Sequence, residues 1–238
     1  MPVQNENTKQ IKSRQRVADH GEVFTNPREV NAMLDLVRDE SFRLDSRFLE
    51  PACGDGNFLI EILRRKLSLI QDIKSQTEWE FQSLIAVGSC YGIELLSDNT
   101  EACRHRLEEI VLADYYMSFM KTSYSGVEIP RRTYNSYDSY PLTDYRKSLQ
   151  FILQKNIVCG DALTYRTAED KPITFCEWTP IAGSMQFSRR DFQFDFLVTK
   201  NHQYSLFDEQ GDVQSFDEPV RTYPPLHYTQ LYRYEEHV

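Results

Sequence analysis

The sequence predicts an α/β protein with a doubly wound, mostly parallel sheet. Three observations carry that prediction: short apolar runs alternate with helical patterns, each run ends in a loop bearing a glycine or a carboxylate, and no internal repeat is present. With 238 residues, 40% of them hydrophobic and 26% charged, one sizeable core with decorations is expected.

A polar arm fills residues 1–19. After it, Val30, Met33, Leu34 and Val37 recur at i, i+3, i+4 and i+7, which is one face of a helix. Asn26 is placed to cap it, Pro27 suits the first helical position, and Glu29 lies three residues after the cap, so the helix starts at about residue 27. Phe48 and Leu49 form a short extended run that breaks at Glu50-Pro51-Ala52-Cys53-Gly54-Asp55-Gly56, and a helix with the stripe Phe58, Leu59, Ile62 and Leu63 follows. Beyond a long polar segment, the apolar stretch from Leu84 reads as a second buried strand ending on Glu94. Asp98 and Glu101 have capping-box spacing at the head of a helix that continues through Leu107, Ile110 and Val111.

Residues 113–149 are rich in tyrosine, serine and proline with little periodicity, and read as an insertion carrying loops. A third strand is expected at 156–159, ending in Gly160 and Asp161, and a fourth at 194–198, leading into Lys200-Asn201-His202-Gln203-Tyr204. The main domain spans 20–206, and 207–238 form an acidic, aromatic-rich tail that packs on a neighbour or finishes a sheet edge.

The first residues lack an apolar stretch and no run approaches a membrane span, so a cytoplasmic protein with no membrane partner is expected. The five cysteines form no CxxC pair and lack histidines at ligand spacing, which predicts reduced, mostly buried thiols and no metal site. A net charge of −9 opposes autonomous binding to a polyanion. Small basic clusters at 12–16, 64–66, 104–106, 131–132 and 189–190 read most simply as solvated helix faces or loops.

In an open parallel sheet, ligands bind beyond the carboxyl ends of the strands, where Glu50 to Gly56, Glu94, Asp161 and Asn201 would gather. Gly54 and Gly56 let the backbone turn sharply and approach a ligand. Glu94 is positioned to accept from a ribose diol, and Asp161 from the exocyclic amine of an adenine. Singly, each also reads as a tight connection or a helix cap. The third glycine of a dinucleotide fingerprint is missing, since Leu59 stands where it is required, so a pyrophosphate ligand is disfavoured.

EPACGDGNFL resembles the first motif of amino-methyltransferases that act on DNA adenine, and GEVFTNPREVNAML resembles the motif preceding it in the gamma-ordered members. YGIEL and CGDAL are similar to the second and third motifs, so the resemblance covers roughly residues 20–110 and 155–204. It implies a Rossmann-like class I methyltransferase fold and an S-adenosylmethionine site lined by Thr25, Glu50, Ala52, Gly54, Glu94, Asp161 and Ala162. It also implies transfer of a methyl group to adenine N6 of DNA, within a restriction-modification or phage-defence system. A cationic sulfonium ligand suits the acidic Glu50 and Asp55.

The chain departs from the family at its catalytic loop. Active members place two prolines between the Asn and the aromatic residue, so that the first side chain and a prolyl carbonyl accept from the flipped adenine's amine while the ring stacks on it. Here His202 and Gln203 stand between Asn201 and Tyr204. Asn201 keeps the polarising role, and Tyr204 reads as a stacking platform or as a core residue; His202 reads as an exposed loop residue rather than a base. About 34 residues follow Tyr204, too few for three more strands and a recognition domain, so the fold reads as truncated and a partner chain is expected to supply DNA contacts. A catalytically silent relative acting as a binding or regulatory subunit is the second reading, and methylation of a small molecule or protein a third.

Overall fold

A computed structural model describes residues 13–20, 23, 25–119, 141–195 and 219–235. Helix α1 (Arg14–His20) lies in the polar arm, and helix α2 (Pro27–Asp35) starts where expected, with the Asn26 side chain accepting from the Arg28 N–H at 2.9 Å. Of its apolar stripe, Val30 and Leu34 are buried while Met33 and Val37 are about half exposed, so the helix uses a narrower face than its spacing suggests. A single turn, α3 (Arg38–Ser41), leads into strand β1 (Phe48–Glu50), and helix α4 (Asn57–Ser68) follows the glycine turn.

The next element corrects the sequence reading. Residues 84–88 are not strand: they close helix α5 (Gln76–Gly88), capped by the Ser75 hydroxyl, and β2 (Cys90–Glu94) begins only after Ser89. Helix and strand are both largely buried here, so no change of period marks the border. Helix α6 (Ser97–Phe119) then runs seven residues into the stretch read as an insertion, and α7 (Asp144–Asn156) begins before that stretch ends; only its middle lies outside the described residues. Strand β3 (Ile157–Asp161) completes the run of parallel strands, with Glu50 level with Gly92 and Glu94 level with Cys159. The two-residue β4 (Arg166–Thr167) closes the far edge antiparallel, giving the order β1-β2-β3-β4 in a mixed α/β architecture with a mostly parallel four-stranded sheet.

A second sheet was not foreseen. Strands β5 (Thr174–Pro180), β6 (Gln186–Gln193) and β7 (Arg221–His227) pair antiparallel in that order. Phe194 and Asp195, the described part of the expected fourth strand, lie beyond the end of β6 in a helical turn; the rest of that segment, with Asn201 and Tyr204, lies outside the described residues. The tail thus contributes an edge strand and a 3₁₀ segment (Tyr228–Glu235). Tyr223 pairs with Arg189 and Leu226 with Phe187, so Pro224 and Pro225 together face Ser188 as a bulge. Prolines, having no N–H to give the ladder, are tolerated in such a position on an edge strand.

Alternation along β2 divides the interior. Cys90 joins the large core formed with the helices, whereas Tyr91 and Ile93 point to a smaller cluster with Ile173, Phe175 and Phe194. The expected double winding is therefore incomplete in this region: the second face of β2 meets residues flanking the antiparallel sheet, not α4 to α7. The two sheets are joined by Asn156, fully buried at the end of α7. Its amide donates to the carbonyls of Gly88 (3.1 Å) and Cys90 (3.3 Å), and its side-chain oxygen accepts from Trp178 Nε1 on β5 (3.1 Å). Asn156→Ala strips three buried groups of their partner and is expected to cost about 2–4 kcal/mol, read as a lower urea midpoint by tryptophan fluorescence.

Candidate functional site

The carboxyl edge of β1, β2 and β3 is organised around the turn between β1 and α4. Gly54 (φ 54°) and Gly56 (φ 95°) both occupy the left-handed region that favours glycine, and a Cβ on Gly56 would lie 2.7 Å from Cys103 Sγ. The Cys53 N–H donates to Ile93 O at 2.9 Å, which fixes the turn to the end of β2.

Glu94, the last residue of β2, is buried. Its Oε2 accepts from the Gly54 N–H at 2.9 Å; its Oε1 accepts from the Leu96 N–H at 2.9 Å and from Asn99 Nδ2 at 3.5 Å. A carboxylate offers about four acceptor directions. One therefore remains for an outside donor, and a diol is held through both hydroxyls if Asn99, the longest partner, gives way.

Glu50 ends β1, half-buried; burial raises its carboxyl above the usual glutamate range, against a smaller lowering by the Ala52 backbone N–H. Ala52 itself is exposed. Asp161 ends β3, and its Oδ1 accepts from the Leu163 N–H at 2.8 Å, folding the chain back over the strand end. Ala162 packs on the smaller apolar cluster behind β2. Thr25 reaches the same edge through its carbonyl, which accepts from Asn57 Nδ2 at 3.2 Å. Residues from four separate stretches of chain, Thr25, Glu50 to Gly54, Glu94 and Asp161, thus meet at one edge. Asn201 and Tyr204 lie outside the described residues.

Sequence reasoning read Arg106, within the 104–106 cluster, only as a solvated charge. Its Nη1 pairs with Asp55 Oδ2 at 2.6 Å and donates to Asp55 O at 2.8 Å, while Nη2 donates to Asn57 Oδ1 at 3.0 Å. The same reading fails for other members of the basic clusters, while Arg64 is exposed and Arg190 partly exposed as it expects, and residues 131–132 lie outside the described residues. Lys66 is fully buried, its Nζ bonded to Leu44 O, Ser46 O and Ser89 Oγ, and burial lowers its pKa. Arg65 is buried against Asp35 and Ser41, and Arg104 donates to Ile157 O. Arg189 holds Asp191 through two 2.8 Å bonds beneath the ring of Tyr223. These cations serve the fold and are not a phosphate-binding face. In sequence, a cation that donates to an internal carbonyl is indistinguishable from a solvated one.

A separate cavity of about 340 Å³ lies beside β1, lined by Leu49, Tyr91, Phe175 and Phe192, with Arg47 and Arg190 both paired to Glu177 at its rim. Among the described residues, no helix is long and apolar enough to cross a membrane and no cluster of potential metal ligands is found.

Fold and edge together define a mixed α/β protein whose parallel strands end in three carboxylates around a left-handed glycine turn. Compared with protein-family models, with curated proteins and with solved structures, the chain matches none.

The half-buried Glu50 gives a test by stability. A carboxyl whose folded pKa is raised contributes stability below its unfolded pKa, and that contribution is lost as pH rises through the folded value. Glu50→Gln should therefore raise the urea midpoint at pH 7, and the difference should vanish below about pH 4. An unchanged midpoint at pH 7 would mean that the carboxylate is not held against a burial cost.

Proposed function

We propose that this chain is an S-adenosylmethionine-binding, DNA adenine-N6 methyltransferase-like protein with a Rossmann-like class I methyltransferase fold, working in a restriction-modification or phage-defence system beside a partner chain. The observation that carries the reading is the convergence of Glu50, Glu94 and Asp161 at the ends of three adjacent parallel strands, around the turn held by Gly54 and Gly56. Two observations support the fit to the cofactor: the turn takes the left-handed backbone that favours glycine at Gly54 and Gly56, and Asp55 keeps one buried carboxylate oxygen without a hydrogen-bond partner among the described residues.

In this reading Glu94 accepts from the ribose and Asp161 from the adenine amine of the cofactor, Ala162 borders its purine, and Glu50 with Asp55 offsets its positive charge. Thr25, Ala52 and Gly54 complete the wall. S-adenosylmethionine supplies an electrophilic methyl group when bound. Asn201 accepts from the N6 amine of a flipped adenine and Tyr204 stacks on its ring. The DNA phosphates fall to the partner, because the net charge is −9 and Arg65, Lys66, Arg104, Arg106 and Arg189 are spent inside the fold.

One observation favours a second reading, a catalytically silent subunit that keeps the pocket for binding or regulation: His202 and Gln203 stand where the active pattern has two prolines. Without fixed φ, nothing holds the prolyl-type carbonyl on the amine, and a lost transition-state hydrogen bond costs about 1–3 kcal/mol, or roughly ten- to a hundredfold in rate.

Calorimetric titration with S-adenosylmethionine, followed by transfer of labelled methyl groups to adenine-containing DNA at low salt, separates these readings. Binding by the native chain is expected, weakened about tenfold or more by Asp161→Ala. Transfer supports the enzyme, and binding without transfer, with or without added partner, supports the silent subunit. No binding removes both.

A further inference from the structure

Every residue of the turn from Cys53 to Asn57 is gripped from β2 or α6. Cys53 and Gly54 are held by Ile93 O and Glu94 on β2. The other three are held by one face of α6, where Cys103 and Arg106 stand at i and i+3. Gly56 rests directly over Cys103 Sγ, and Arg106 clasps Asp55 and Asn57 on either side of it. Asn57 then passes the constraint to Thr25 through its own amide.

We infer that Arg106 is the positioning residue of the glycine turn, fixing through Asp55 and Asn57 the backbone on which the ligand rests and, through Asn57, the segment at Thr25. The cofactor part of this inference rests on the reading above; the loop part does not.

The chemistry makes the arginine hard to replace. A guanidinium presents several donors in a planar fork, so one side chain serves a carboxylate oxygen, a backbone carbonyl and a side-chain amide oxygen at once. An ammonium at that position supplies charge but not the fork. Asp55 is half-buried and its Oδ1 has no hydrogen-bond partner among the described residues, so removing Arg106 leaves the carboxylate without its counter-charge and the turn relaxes to hydrate the buried oxygen. A lifted turn uncovers the thiols beneath it, Cys103 (0% exposed) and Cys53 (6%).

Those thiols provide a readout that needs no ligand. Native protein, Arg106→Ala and Arg106→Lys are treated with iodoacetamide, and each cysteine is followed by peptide mass spectrometry, with buried Cys176 in β5 as the remote control. Arg106→Ala should speed labelling of Cys103 and Cys53 about tenfold or more, leave Cys176 unchanged, and lower S-adenosylmethionine affinity by a similar factor. Arg106→Lys should recover part of the protection. If Arg106→Ala does not fold, Asn57→Ala, which removes one arm of the clasp, is compared in its place and should still speed Cys103 labelling.

Unchanged Cys103 labelling, or Cys176 rising in step with it, would overturn the inference. Native protein that binds no cofactor while Arg106→Ala uncovers Cys103 leaves the clasp standing and removes the cofactor reading. Equal cofactor binding by native protein and Arg106→Ala, with Cys103 still protected, does the reverse.

Discussion

The structure depends on one buried amide. Asn156 sits where the end of α5, the start of β2 and the middle of β5 meet, and its donors and acceptor satisfy a polar group on each. Gly88 and Cys90 flank the change from helix to strand, where carbonyls lose their regular partners and would otherwise be stranded in a dry core. By taking both, Asn156 lets α5 run into β2 with Ser89 alone between them. By accepting from Trp178 it also fixes the register at which the antiparallel sheet docks. The placement of β2, and with it Glu94, follows from that junction.

What was legible in the sequence was local. The start of α2, the turn after Phe48 and Leu49, and the ends of β2 and β3 are written in residues that act within a few positions of themselves: a capping Asn26, a Pro27, glycines in the left-handed region, a carboxylate after an apolar run. The convergence of Glu50, Glu94 and Asp161 was legible because parallel strands place their carboxyl ends together whatever lies between them.

What was illegible was written at a distance. The inward positions of β6 are Phe187, Arg189 and Asp191, and two charges on the core face erase the alternation that marks a strand; they are buried because they satisfy each other inside a box of aromatic rings. The Pro224-Pro225 pair reads as a break and is a bulge. The role of Arg106 depends on a partner 51 residues away. The net charge says little about which charges reach the surface, because buried Arg65, Lys66 and Arg189 are matched by buried Glu80, Glu94 and Asp191.

The far edge of the parallel sheet is covered by β4, whereas β1 has no neighbour on its outer side among the described residues. The Phe48 N–H is spent on Ser89 O, so the alternation of a parallel ladder turns the N–H and C=O of Leu49 outward. Lateral growth of this sheet is therefore one-sided, and β1 is only three residues long with Glu50 as its last. A strand laid against it, in either direction, would pass beside Glu50, so widening the sheet would also reshape the wall of the glycine turn.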